Sequence, residues 1–253
     1  MLSKSCGGPK TLQRRATYCF VSVVLLMLLA RFGLSFLPSG LRELECVNSD
    51  ESMKRSEHLL EVFTQVAADN NFTWWADYGM LLGGVRNGHL LPWDKDMDAA
   101  FRHEDLDQFL KLETKLKPLG FGIHGVTVCY LEDIPRMDLE SELIVSRLEM
   151  FPYVTSDTGL LIRSDLKKAA DDHSVYGWAF WKAVEFTMTS TINRYDEVFP
   201  LDQVTIHHFK TNPDDTSQWK VTIPAPMNPP LYLEKLYGKS WKKEVKWKLT
   251  CYM

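Results

Sequence analysis

The chain has 253 residues, of which 45% are hydrophobic and 12% aromatic, and this is enough apolar material for one substantial core. Its formal net charge is −4, and no lysine or arginine cluster interleaves with stacking aromatics. Both features argue against nucleic-acid binding, so we expect no nucleic acid among the partners.

The N-terminal segment is basic and then apolar. Residues 1–15 contain four basic side chains and no acid, and residues 16–37 are apolar apart from Arg31. About 20 apolar residues can cross a bilayer, and the flanking positive charges stay on the cytosolic side. We therefore expect a cytosolic tail (1–15), a single-pass transmembrane signal anchor (16–37) and a stem (38–50), with a cleaved secretory peptide as the alternative. Both interpretations place residues 51–253 in the lumen of the secretory pathway.

Two features of the remaining chain agree with an oxidising lumen. Asn71 begins an Asn-Phe-Thr glycosylation sequon. Cys46, Cys129 and Cys251 follow the apolar segment. Because three is an odd number, two arrangements are possible: one disulfide with one free thiol, or an intermolecular bridge through Cys46.

Apolar periodicity and turn residues predict a series of alternating helices and strands. In chain order they are a helix over 51–68 capped by Ser49 or Asp50, a strand over 73–78, a helix over 80–87 ended by Gly88, an acidic strand over 96–101, a helix over 103–117 stopped by Pro118 and Gly120, β segments over 122–131 and 142–153 that pair antiparallel, a strand over 204–210, and a helix over 231–237 stopped by Gly238. The alternation within one compact domain predicts an α+β (mixed α/β) fold.

Three carboxylates stand at alternate positions where the acidic strand begins. Side chains at i, i+2 and i+4 of a strand share one face, so Asp94, Asp96 and Asp98 point the same way and Met97 points into the core. Magnesium takes one or two carboxylates together with phosphate oxygens. The strand therefore predicts a site for Mg²⁺ (or Mn²⁺) and a phosphate group; an exposed acidic loop is the alternative.

A glycine pair, Gly83-Gly84, precedes the first of these acids, with nine residues between them. Adjacent glycines at a helix start allow close approach of a phosphate to free N–H groups. The dinucleotide fingerprint and the phosphate-loop motif are both absent from the sequence. We expect the pair to bind phosphate, although paired glycines also make simple turns.

The run from Tyr78 to Asp98 resembles the LicD/fukutin/fukutin-related family. The resemblance rests on Tyr78-Gly79, Leu81-Leu82-Gly83, Val85-Arg86, Gly88, Pro92-Trp93-Asp94 and Asp96-Met97-Asp98, and it recurs loosely at 196–201, 223–226 and 232–241. It implies a nucleotidyltransferase-like core with a mixed sheet flanked by helices. It also implies a Golgi or ER membrane transferase of the type II orientation, which moves a phospho-alcohol from a CDP-alcohol donor to a glycan or glycoprotein acceptor.

The resemblance also implies roles for single residues. Gly83 and Gly84 would bind phosphate, Arg86 would offset the charge of the diphosphate, and Tyr78 would contact the donor. Asp94, Asp96, Asp98 and Glu149 would form the metal-binding and catalytic set. The family has an aspartate where this chain has Glu149, so Glu149 is expected either as third metal ligand or as base, with Asp138 as the competing candidate.

Two further functions stay open at this point. The glutamate in place of aspartate and the compact size favour a catalytically silent luminal relative that binds a glycan or a partner glycosyltransferase. Synthesis of a CDP-alcohol by a true nucleotidyltransferase is the third possibility, but a membrane anchor and luminal placement argue against it.

Overall fold

The computed structural model describes residues 48–137, 146–157, 159–164, 192–210 and 217–243, which fall within one compact unit. The expected tail (1–15) and anchor (16–37) lie outside these residues, as do Asp138, Cys46 and Cys251. Within the described ranges, none of the helices combines the length and the apolar character that a membrane crossing requires.

The helices and strands alternate along the chain as expected. They are α1 (Asp50–Asp69), β1 (Trp74–Ala76), α2 (Tyr78–Asn87), β2 (Asp96–Arg102), α3 (Leu106–Lys111), α4 (Glu113–Leu116), β3 (Phe121–His124), β4 (Thr127–Tyr130), β5 (Arg147–Thr155), β6 (Leu160–Arg163), β7 (Ile192–Arg194), α5 (Tyr195–Val198), β8 (Asp202–His207), β9 (Lys220–Ala225) and α6 (Pro229–Tyr237).

A mixed sheet forms the centre of the fold. Its strands run in the order β1-β2-β5-β4-β3, and β6 and β7 extend it from the far end of β5. The pair β2–β5 is parallel, whereas the other pairs of this sheet are antiparallel, including the expected pairing of β4 with β5. Strands β8 and β9 form a separate hairpin. The prediction of a mixed sheet flanked by helices is confirmed.

Strand β2 shows the alternation that its sequence predicts. Met97, Ala99 and Phe101 are buried, whereas Asp96 and Asp98 on the opposite face are only half-buried. Phe101 stacks on Phe109 of α3 at 5.1 Å between ring centroids. Burial of the apolar face fixes the register, because a slip by one residue would turn the aspartates into the core.

Helix α1 covers this apolar face. Its stripe of Leu59, Leu60 and Phe63 is fully buried, and Phe63 meets Trp74 of β1 edge-to-face at 5.2 Å. Ser49 Oγ accepts a hydrogen bond from the Ser52 N–H at 3.2 Å, so Ser49 is the N-cap.

The same helix is joined to the chain that follows β8. Glu57 accepts hydrogen bonds from Phe209 N at 3.1 Å and pairs with His208 Nδ1 at 2.7 Å. Both side chains are only 5% exposed. A buried pair of this kind fixes one arrangement of the two segments, because each partner would be left uncompensated without the other.

Two predicted elements differ from the structure. The helix predicted over 103–117 is divided into a 3₁₀ turn, α3 and α4, and its stop at Gly120 is confirmed by a φ of +90°. The strand predicted over 122–131 is a hairpin, β3 and β4, that turns at Gly125 with a φ of +62°. Glycine adopts that left-handed conformation without a Cβ penalty, and a single glycine inside a β-prone run marks the turn.

Candidate active site

The carboxylates meet on the parallel pair β2–β5. Asp96 lies opposite Arg147 and Asp98 lies opposite Glu149, so these four side chains share the face of the sheet away from α1. Asp96 and Glu149 are 25% and 30% exposed. Glu149, the expected third carboxylate, therefore stands beside the two aspartates even though fifty residues separate them in sequence.

Arg147 connects two of these carboxylates. Its Nη2 donates to Asp96 Oδ2 at 2.8 Å, and its Nε donates to Glu149 Oε1 at 2.8 Å. The arginine side chain is only 12% exposed. Such charge-assisted bonds from a planar guanidinium fix the positions of both acceptors.

The N-terminus of α2 lies against the same carboxylates. Gly79 N–H donates to Asp98 Oδ2 at 3.1 Å. A Cβ at position 79 would lie 2.2 Å from Asp94 Oδ2 and 3.4 Å from Asp98 Oδ2. Only a glycine allows the Asp94 carboxylate to lie this close to the first helical turn, where unpaired N–H groups and the helix dipole attract negative charge.

Asp98 holds its proton more tightly than an ordinary aspartate. Burial, together with the charges of Asp96 and Asp94, raises the pKa of Asp98 to about 8, against the lowering effect of the hydrogen bond from Gly79. Crowding of negative charge is what a cation relieves. The strand is therefore an electrostatically unfavourable place for three anions unless a cation joins them.

A fully buried aspartate positions the start of α2. Asp77 is the N-cap: its Oδ1 accepts from Tyr78 N at 2.9 Å and from the Tyr232 hydroxyl at 3.1 Å, and its Oδ2 accepts from the Tyr153 hydroxyl at 3.0 Å. Tyr232 in turn accepts from Asn193 Nδ2 at 3.0 Å. Burial raises the pKa of Asp77 to about 6, against the lowering effect of these hydrogen bonds.

Tyr78 begins α2 in a strained conformation. Its φ is +36°, which a residue with a side chain rarely adopts, and such strain concentrates at functional sites. Its ring contacts Phe151 edge-to-face at 5.7 Å, and the Arg163 guanidinium lies over the same Phe151 ring at 4.1 Å. Tyr78 is thus adjacent to the strand that carries Glu149, as a donor-contacting residue would be.

The glycine pair lies elsewhere than expected. Helix α2 begins at Tyr78, so Gly83 and Gly84 are in its middle, where backbone N–H groups already bond within the helix. A Cβ at Gly83 would lie 2.6 Å from the His89 carbonyl oxygen, and one at Gly84 would lie 2.8 Å from Val204 Cγ1. The expectation of a glycine pair at a helix start is wrong, and both glycines allow close packing of α2.

Arg86 lies at the other end of α2. Its Nε donates to Asn87 Oδ1 at 2.7 Å. It lies seven positions along the helix from Gly79, which is about 10 Å along the axis. The guanidinium that the structure places among the carboxylates is that of Arg147, so the expected charge balance by Arg86 has no support in this geometry.

The donor set fits a metal ion that is shared with substrate. In the part of the chain that the structure describes, no three His, Cys, Asp or Glu side chains converge on one metal position. Magnesium needs only one or two carboxylates when phosphate oxygens and water complete its shell. Asp96 and Asp98, two residues apart on one strand face, supply that number, with Asp94 next to Asp98.

The structure also describes the two tryptophans of β1 and the glycosylation sequon. Trp74 and Trp75 are 3% and 0% exposed and belong to the core. Asn71 is exposed in the turn after α1, with a φ of +52°. The sequon is therefore accessible, and its modification stays a prediction.

The residues that the sequence interpretation missed are those that hold the acids in place. Asp77 directly before a helix is an N-cap signal that was available in the sequence. Gly79 was quoted only as part of the family motif, and Arg147 was given no role. Tyr153 and Tyr232 carry no local signal, because their contact with Asp77 depends on the tertiary fold.

A comparison with protein families agrees with this geometry. The family model described as LicD/FKTN/FKRP, nucleotidyltransferase domain, matches residues 71–213, which is more than half of the chain. The chain belongs to this family. The matched range contains α2, β2 and β5.

Curated relatives of this LicD-family chain add no described function. A protein of Rickettsia typhi, named only as uncharacterized, is 36% identical over 59 residues, which cover 23% of this chain and 19% of the relative. An uncharacterized protein of Rickettsia prowazekii is 28% identical over 116 residues, which cover 41% of this chain and 44% of the relative. The matched segments thus span less than half the length of these relatives.

Proposed function

We propose that the chain transfers a phospho-alcohol, of the ribitol phosphate or phosphocholine type, from a CDP-activated donor to a hydroxyl of a glycan. The observation that carries the proposal is the register of β2 with β5, which gathers Asp96, Asp98 and Glu149 on one face beside the N-terminus of α2. Family membership supplies the reaction class.

Each group has a role that its position supports. Asp96 and Asp98 would hold a Mg²⁺ or Mn²⁺ ion, which would neutralise charge on the donor diphosphate. Asp94 adds negative charge beside this metal position. The Gly79 N–H fixes the orientation of Asp98 by its hydrogen bond. Tyr78 contacts the donor on the Phe151 side, and the dipole of α2 favours phosphate at its N-terminus.

The transfer needs positioning and one proton acceptor. The acceptor hydroxyl oxygen forms a bond to the phosphorus that carries the alcohol, the phosphoanhydride bond breaks, and CMP leaves in line. Glu149 has one oxygen bonded to Arg147 and is 30% exposed, so its other oxygen takes the hydroxyl proton. Glutamate in place of aspartate brings this oxygen one methylene closer to an incoming acceptor.

The proposed setting is the lumen of the Golgi or ER. Residues 16–37 anchor the chain as a type II membrane protein, and the accessible sequon at Asn71 is available for glycosylation. The acceptor is then a glycan on a glycoprotein of the same compartment.

A donor panel tests the proposal. The purified chain is incubated with Mg²⁺ and CDP-ribitol, CDP-glycerol or CDP-choline, with and without glycan acceptors, and CMP release is measured. We expect release from one donor and at least a hundredfold loss in Asp96→Asn, which removes a charge at the metal position. Asp107→Asn, an exposed aspartate on α3, is the matched control and should retain full activity.

Two results would contradict the proposal. One is the absence of CMP release from every donor while the chain is folded. The other is release that Asp96→Asn leaves unchanged. In the first case, metal-independent binding of CDP would favour the silent relative that binds without transferring.

A further inference from the structure

Arg147 satisfies carboxylate oxygens that a metal ion would otherwise use. Its Nη2 and Nε donate to Asp96 Oδ2 and Glu149 Oε1, each at 2.8 Å, and these two acceptors belong to different strands. The side chain is 12% exposed, so the bonds lie in a largely desolvated position where charge interactions are strong. The guanidinium therefore lies between the two strands on the face that carries the acids.

We propose that Arg147 is a built-in second cation of this site, so that the chain binds one divalent ion at Asp96 and Asp98 rather than a pair of ions. Glu149 is then held by Arg147 and not by metal. The inference rests on the proposed metal-dependent transfer, whose chemistry it makes more specific.

The spacing of the strands supports the assignment. Neighbouring strands lie about 4.8 Å apart, and the ions of a two-metal site lie about 3.5–4 Å apart and share carboxylates. A second ion that used Glu149 and shared Asp96 with the first ion would lie between these two side chains. That is the position of the guanidinium, which stays charged at every pH of interest.

The arrangement of the acids agrees with the same conclusion. Within the described ranges no three acidic or other metal-binding side chains converge on one point. Glu149 Oε1 is directed to Arg147 instead of toward Asp98, although Glu149 and Asp98 are register neighbours. Asp98 Oδ2 is turned to Gly79 N–H, which leaves its other oxygen for an ion shared with Asp96.

The number of bound ions is the direct test. Mn²⁺ is titrated into the purified full chain and measured by calorimetry and electron paramagnetic resonance, which distinguishes an isolated Mn²⁺ from a spin-coupled pair. We expect one uncoupled ion in the wild type and in Arg147→Lys, which keeps the charge. Arg147→Met is of similar length without the charge, so we expect it to bind a second, coupled Mn²⁺.

A second variant keeps the test decisive if Arg147→Met does not fold. Glu149→Gln should bind one Mn²⁺ with a dissociation constant within about threefold of the wild type, since Glu149 is not a ligand. Asp98→Asn should weaken the affinity for the same ion by about a hundredfold, since Asp98 is a metal ligand in this proposal.

The outcomes separate this inference from the proposed function. Two coupled ions in the wild type, or a large loss of affinity in Glu149→Gln, would overturn the role of Arg147 while leaving metal-dependent transfer in place. A wild-type chain that releases CMP yet binds no Mn²⁺ would overturn both.

Discussion

Replacement of Gly79 by alanine tests the role of a single carboxylate of the site, Asp94. The new Cβ would lie 2.2 Å from Asp94 Oδ2, whereas its 3.4 Å distance to Asp98 Oδ2 is an ordinary contact. Gly79 is not in the left-handed region, so alanine fits its backbone. The change therefore acts on one carboxylate and leaves the hydrogen bond from position 79 to Asp98 intact.

The required movement can be worked from these distances. To reach ordinary contact at 3.4 Å from its starting distance of 2.2 Å, Asp94 Oδ2 must recede by about 1.2 Å, several times the tolerance of about 0.2 Å in metal–ligand distances. Groups that support a metal position typically contribute about 10–100-fold to affinity. We expect Gly79→Ala to weaken Mn²⁺ binding within that range, with an unfolding free energy changed by less than about 1 kcal/mol.

A double-mutant cycle makes the test specific. Mn²⁺ affinity is measured for Gly79→Ala, Asp94→Ala and the combination, with thermal unfolding as the control for folding. If alanine acts by displacing Asp94, it has nothing to displace in Asp94→Ala, and the two effects are not additive. Gly122→Ala in β3, where a Cβ would lie 2.6 Å from Ile134 Cδ1, is the matched control and should not change the affinity.

Full additivity in this cycle would refute the reasoning, because it would show that Gly79 acts independently of the Asp94 carboxylate. Unchanged affinity in Gly79→Ala would do so as well. It would mean that Asp94 reaches a different rotamer without effect on the metal position.

Three further predictions concern the same helix and its carboxylates. Tyr153→Phe removes a hydrogen bond to the buried Asp77 carboxylate and should lower the unfolding free energy by about 1.5–3 kcal/mol in denaturant titration; an unchanged midpoint would contradict this. Metal binding must displace the proton that the raised pKa of Asp98, about 8, retains, so Mn²⁺ affinity should rise about tenfold per pH unit up to pH 8 and then level; a flat profile from pH 6 to 8 would exclude Asp98 as ligand. Gly83→Ala places a Cβ 2.6 Å from the His89 carbonyl and should cost about 1–3 kcal/mol of stability without changing donor affinity, whereas a selective loss of donor affinity would restore the phosphate-binding role.

The sequence predicted the strand that carries the acids because the pattern there is local. Alternation of Met97, Ala99 and Phe101 with Asp96 and Asp98 determines which face is buried, and the structure confirms it. The ends of α2 and α6 at Gly88 and Gly238 were likewise readable, since a glycine after the last apolar position ends a helix.

The parts that the sequence did not predict depend on pairing between distant segments. Gly83 and Gly84 look like a phosphate-binding turn until the loop at His89 and the strand at Val204 are brought against them. Arg147 has the local appearance of a solvated strand residue. Only the parallel register opposite Asp96 makes it part of the site.

The hydrogen bonds of Asp77 also bear on where a stable fragment of this chain can begin and end. The family-model match ends at residue 213, yet Tyr232 donates to Asp77 from α6, beyond that limit. Glu57, which pairs with His208, precedes the start of the matched range at residue 71. A fragment trimmed to the matched range would remove the hydrogen bond from Tyr232 to the buried Asp77 carboxylate and would separate the buried His208 imidazole from Glu57. The matched range and the cooperative folding unit therefore have different boundaries. The smallest piece that we expect to fold alone runs from α1 through α6.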